Sequence, residues 1–267
     1  MTRTFTLALL VLAIGCRSNA DEPAAAPPPA PPRVTPPAPG PPGPMPIDSG
    51  LPGAPVVPPL REHMDEHFGA ATRLEQAIVR GELDDARDAA TYLATHAEHP
   101  ELDDWQPYVE QMQAAAGRVK AAPDLASAAA LVGDVGLQCS SCHSVRAAIV
   151  TFPWEPVPDT DATVATRMRR HQWAAARLWE GLIGPSDDLW ELGAEVMADN
   201  ELESLVTARM ALDHDARDLI SSVQLLARKA PSATTAEARA SLYDDLLPVC
   251  AGCHQLVRDR ATPGGPP

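Results

Sequence analysis

The chain has 267 residues, a formal net charge of −15 and only 4% aromatic residues. That length suits one large domain or two small ones, and the acidic balance disfavours nucleic acid or anionic lipid head groups as ligands while suiting a basic protein partner. The five cysteines comprise Cys16 and two Cys-x-x-Cys-His motifs, which leaves none for a disulfide scaffold.

Residues 1–15 have the layout of a signal peptide. One basic residue, Arg3, precedes the apolar run Leu7-Ala8-Leu9-Leu10-Val11-Leu12-Ala13-Ile14, which is too short to span a bilayer. Ala13-Ile14-Gly15-Cys16 resembles the lipobox of bacterial lipoproteins, in which the cysteine receives the lipid and becomes the mature N-terminus. The alternative is an ordinary cleaved signal with Cys16 near the cut. Residues 16–59 are rich in Pro and Ala, with almost no large apolar side chain before Leu51. Such a segment buries too little surface to fold and is expected to be a disordered, partly polyproline II tether.

Helical periodicity begins at Leu60. Four helices are predicted over 60–80, 82–98, 102–122 and 124–147, punctuated by Gly81, Pro100 and Pro123. A Pro-rich joint at 151–160 follows. Four more helices are predicted over 161–183, 187–199, 201–229 and 233–258. The two halves repeat one pattern. Met64, His67, Ala70, Ala71, Arg73 and Leu74 recur 104 residues later as Met168, His171, Ala174, Ala175, Arg177 and Leu178. The Cys-x-x-Cys-His motifs are 111 apart. The expected domains are therefore 60–150 and 161–260, with a disordered tail at 261–267.

The motifs Cys139-Ser140-Ser141-Cys142-His143 and Cys250-Ala251-Gly252-Cys253-His254 carry the chemistry. Covalent attachment of a haem needs two thiols at fixed separation for its two vinyl groups, and an imidazole beside the second thiol for the iron. Cys139, Cys142, Cys250 and Cys253 are the expected thioether positions, and His143 and His254 the proximal ligands. A thioredoxin-like Cys-x-x-Cys needs a βαβ context, and a zinc ribbon does not explain a histidine after each pair. The opposite iron ligand of the second haem must lie upstream, because no His, Met or Cys follows His254. The matched pairs Met64 and Met168, and His67 and His171, are the candidates, each pair sharing a face of the first helix of its half. Packing methionines and hydrogen-bonding histidines are the plain alternatives. Arg146 and Arg258 follow the proximal histidines and suit haem propionates, or else are solvated helix-end arginines. His63, His96, His99 and His214 lack repeat partners and are expected at the surface.

A haem motif at the end of a four-helix unit, with a potential ligand on the first helix, resembles the class II cytochromes c. The segment Met64-Asp65-Glu66-His67-Phe68 … Ala77-Ile78-Val79-Arg80-Gly81-Glu82 is similar to the first helix of their low-spin branch, in which methionine completes the iron. The resemblance covers 60–147 and 161–258. It implies an all-α fold of two tandem four-helix bundles, each with a C-terminal haem-binding helix, and two covalent haem c groups. The second candidate ligand, His67 or His171, departs from the family. The implied role is a non-enzymatic, one-electron carrier, lipid-anchored in the bacterial periplasm, with the outer membrane as the expected site, and serving a redox partner protein. A gas-binding haem protein of the cytochrome c prime type (NO or CO) is the alternative, and a dihaem peroxidase is a third reading.

Overall fold

The computed structural model describes residues 60–96, 105–148, 150–159, 163–199 and 214–261. The signal segment, Cys16, the tether, His99, the turn near Asn200 and the residues after Ala261 lie outside them. Of the described residues 83% are helical and none forms a strand, which makes the fold all-α.

Helix α1 (Leu60–Arg80) exists because Ala70, Ala71, Leu74, Ala77 and Ile78 form one buried stripe at three- and four-residue steps. It stops at Gly81, whose φ of +73° is open to glycine at little steric cost. The Gly81 and Glu82 amides donate back to the carbonyls of Ile78 (2.9 Å) and Ala77 (2.8 Å), closing a Schellman turn. Helix α2 (Leu83–Thr95) then runs back along α1, and α3 (Gln106–Lys120) packs on α2. Arg87 of α2 donates to the Ala122 carbonyl at 2.8 Å, so the arginine of the acidic stretch 84–88 caps α3 rather than pointing only to water.

The helix predicted over 124–147 is two helices, α4 (Leu125–Ala129) and α5 (Val132–Val145). Asp124 caps α4 by accepting from the Ser127 amide at 2.8 Å. The break at Ala130–Leu131 creates a fresh helix start, and its cap comes from the other half of the chain: Asp244 accepts from the Gly133 amide at 2.6 Å. The orphan N–H groups of a helix N-terminus favour such an anion. Leu125–Val145 is apolar and long enough by composition to cross a membrane, yet α5 within it packs against α3, α6 and the last helix, as a core helix does.

Residues 150–159 lie along helix α6 (Val164–Ile183). Arg170, Trp173 and Arg177 donate to the carbonyls of Pro158 (3.1 Å), Glu155 (3.2 Å) and Pro153 (3.4 Å). Proline brings no amide of its own, so its carbonyls are natural targets for such donors. Helix α7 (Asp187–Ala198) folds back on α6. Gly193 makes that approach close, since a Cβ there would meet the Leu178 amide at 2.8 Å. Helix α8 (His214–Lys229), a 3₁₀ turn (Ala230–Ser232) and α9 (Ala236–Ala261) complete the described chain. The motif helices are α5 and α9.

The halves share a continuous core. The first helix of each half packs on the motif helix of the other, α1 on α9 and α6 on α5. Tyr243 of α9 stacks on Trp179 (ring centroids 5.3 Å apart) and donates to Glu75 at 3.1 Å. Glu75 and Trp179 are repeat equivalents, and so are Gly133 and Asp244. Gly133 and Asp244, equivalent positions of the two halves, thus meet directly.

Candidate haem site

Cys139 and Cys142 are three residues apart on the last turns of α5, and His143 follows at once. The helix ends there in a second Schellman turn: the Ala148 amide donates to the His143 carbonyl at 2.9 Å, with Ala147 in the left-handed region at φ 50°. The His143 ring is held by its Nδ1–H, which donates to the Ile183 carbonyl at 2.8 Å. That bond fixes the tautomer and leaves Nε2 with the lone pair, the arrangement usual in metal-ligating histidines. A histidine so oriented could serve as an iron ligand.

The second motif stands inside α9, which continues for seven residues beyond His254. Cys250 is buried, while Cys253 and His254 are half-buried. All four motif cysteines are free thiols. Burial pushes Cys139 and Cys250 up to about 12 and raises Cys142 and Cys253. The redox Cys-x-x-Cys depends on a lowered thiol, so this environment disfavours dithiol–disulfide chemistry.

The four upstream candidates fall in different places. Met168 is 36% exposed. His171 is half-buried; desolvation first, then the nearby charge of His254, lowers it to about 4. The second half therefore brings His171 into the electrostatic neighbourhood of the motif histidine. His254 is lowered by burial and by Arg258, so both rings are neutral bases at pH 7. In the first half, Met64 is half-buried and His67 stacks with other histidines, 4.4 Å from His63 and 5.5 Å from His96 between ring centroids.

One expectation changes. His63 is not a surface residue but 6% exposed, and it joins His67 and His96 in one cluster. The α1–α2 hairpin brings these distant residues together. His96 is half-buried and stacks on Tyr92 at 4.4 Å. Among the described histidines expected at the surface, only His214 is there, paired with Asp218 at 3.0 Å. The two arginines offered for propionates have protein partners here. Arg146 lies over the Trp105 ring at 4.0 Å, and Arg258 donates to the carbonyls of Arg80 and Gly81 at the end of α1. Ala71 and Leu74 lie in the shared core.

Sequence reasoning missed Glu75 and Tyr243, whose bond joins the halves beside Cys250. The only signal for them was a charged residue on an otherwise apolar stripe of α1. No family model, curated protein or solved structure matches the chain.

Proposed function

We propose that the chain is a dihaem c-type cytochrome of the class II kind, carrying single electrons. The observation that carries this reading is the recurrence of Cys-x-x-Cys-His on equivalent helices, with His143 already oriented by the Ile183 carbonyl. Cys139, Cys142, Cys250 and Cys253 would hold the two haem c groups, and His143 and His254 would bind their iron. The haem supplies one-electron redox chemistry when bound. The chain's part is to orient the imidazoles, exclude water through the shared core and set the potential through the opposite ligand.

His171 is the better partner for His254, given its neighbourhood and the exposure of Met168. For the first haem Met64 is the better candidate, because His67 is engaged with His63 and His96. Histidine opposite methionine raises the potential relative to two histidines, so the two groups would differ. Each repeat, 60–150 and 161–260, would be a helical haem unit packed on the other. An acidic surface and a lipid on Cys16, at the end of a long tether, suit a carrier held at a bacterial membrane and docking on a basic redox partner.

Intact mass and a reductive titration of the purified protein test the reading. Two covalently bound haems and two reversible one-electron steps are expected. Free motif thiols after expression with haem-maturation machinery overturn it. Stoichiometric carbon monoxide binding to both ferrous haems replaces the carrier with a gas-binding protein.

A further inference from the structure

The first half carries a histidine cluster that haem attachment does not use. His63 and His67 lie four residues apart on one face of α1. His96 is the C-cap of α2, its backbone amide donating to the Tyr92 carbonyl at 2.8 Å. Because α2 runs antiparallel to α1, the end of α2 meets the start of α1. One ligand nitrogen from each of the three rings lies within 4.8 Å of the others. Tetrahedral zinc binds imidazole at about 2.0–2.1 Å, which places its nitrogens about 3.4 Å apart. Side-chain rotation covers that difference without moving either helix.

The surroundings favour a cation. Glu66 places a carboxylate oxygen 3.7 Å from His96 Nε2 and accepts from the Tyr92 hydroxyl at 3.2 Å. Tyr92 stacks on His96, which limits the ring's freedom and lowers the entropy cost of ligation. His63 is buried, and a buried imidazole gains more from a ligand than an exposed one, since water does not compete for it. The cluster also has no counterpart in the second half. Arg167 stands at the position equivalent to His63, and an arginine there would repel a metal ion. The repeats have diverged at this point while keeping the motif cysteines.

We propose that His63, His67 and His96 form a binding site for a divalent transition-metal ion of the zinc type, which clamps the open end of the α1–α2 hairpin. Three imidazoles leave a fourth position for water or for Glu66. The site is independent of haem attachment and assigns His67 to this ion rather than to haem iron.

Calorimetric titration of the holoprotein with Zn²⁺ tests it, beside His63→Ala, His96→Ala and His67→Ala variants of matched haem content. One equivalent is expected to bind the parent and to raise its melting temperature. Binding is expected to weaken about tenfold or more in each variant, with the haem absorption spectrum unchanged by zinc. His96→Ala is the safeguard against misfolding, because His96 sits at a helix end and is only half-buried. The proposal falls if the parent takes up no zinc, which makes the rings a packed stack. It also falls if uptake survives in both His63→Ala and His96→Ala, or if His67→Ala turns a low-spin haem high-spin. Covalent haem content, measured separately, reports on the cytochrome reading and not on this site.

Discussion

Glu75 shows how a single buried carboxyl can tune stability. It is 6% exposed, and burial raises it to about 7 despite the hydrogen bond from Tyr243. The folded state therefore holds its proton more tightly than the unfolded state does. Between the ordinary carboxyl range and pH 7 the native protein binds more protons, so this group's contribution to stability falls as pH rises. Glu75→Gln keeps an acceptor for Tyr243 and removes the cost of ionisation. The variant is expected to gain on the order of 2–3 kcal/mol over the parent at pH 8 and little at pH 4.5, read from denaturant melts at both values. A gain of equal size at both pH values refutes the ionisation account. On the proposed haem reading, Met168→Ala is expected to leave ferric electron paramagnetic resonance unchanged, because that side chain is partly in solvent. His171→Ala is expected to convert one haem from low to high spin. The reverse pattern would restore methionine as the second half's ligand.

At the scale of helices, two turns control where the motifs stand. Ala147 adopts φ 50° at the end of α5, a conformation that costs a residue with a Cβ roughly 1 kcal/mol. Ala147→Gly is expected to stabilise the protein by about that amount, offset in part by the glycine's larger unfolded-state entropy. Thermal melts against the parent measure it. Gly133 is the opposite case, because a Cβ there would collide with the Ala240 carbonyl and come within 2.7 Å of the Asp244 carboxylate. Gly133→Ala is expected to cost about 1–3 kcal/mol by forcing α5 and α9 apart. A neutral result in chemical denaturation would mean that the crossing is looser than the geometry indicates. Sequence periodicity predicted one helix across 124–147 because every residue between Asp124 and Val145 tolerates helix. The break at Ala130–Leu131 follows from an acceptor 111 residues away, Asp244, and local propensity carries no information about it.

For the whole molecule, the shared core makes the halves mutually dependent. A fragment spanning 60–159 would expose the faces of α1 and α5 that α9 and α6 cover. It is expected to melt well below the full chain or to self-associate, as measured by circular dichroism and sedimentation; a monomeric fragment with the full chain's stability would show that the repeats fold separately. The all-α class, the start of α1, the stop at Gly81 and the repeat were legible in sequence, since apolar spacing and glycine are local signals. So were the thiols and imidazole of each motif, because contiguous residues on a helix keep a set geometry whatever surrounds them. The three histidines were not legible as a group: 29 residues separate His67 from His96, and only the antiparallel return of α2 closes that gap. Nor was the difference in burial between Met168 and His171. A shared helix face settles which side chains are neighbours, whereas the helices packed against that face settle which one is covered. Sequence alone thus determined where the two Cys-x-x-Cys-His motifs stand and that helices carry them. The tertiary structure alone decided that His143 is held by the Ile183 carbonyl, that His171 lies near His254, and that three histidines meet. The physical reason is that burial and cross-chain hydrogen bonds depend on partners far along the chain.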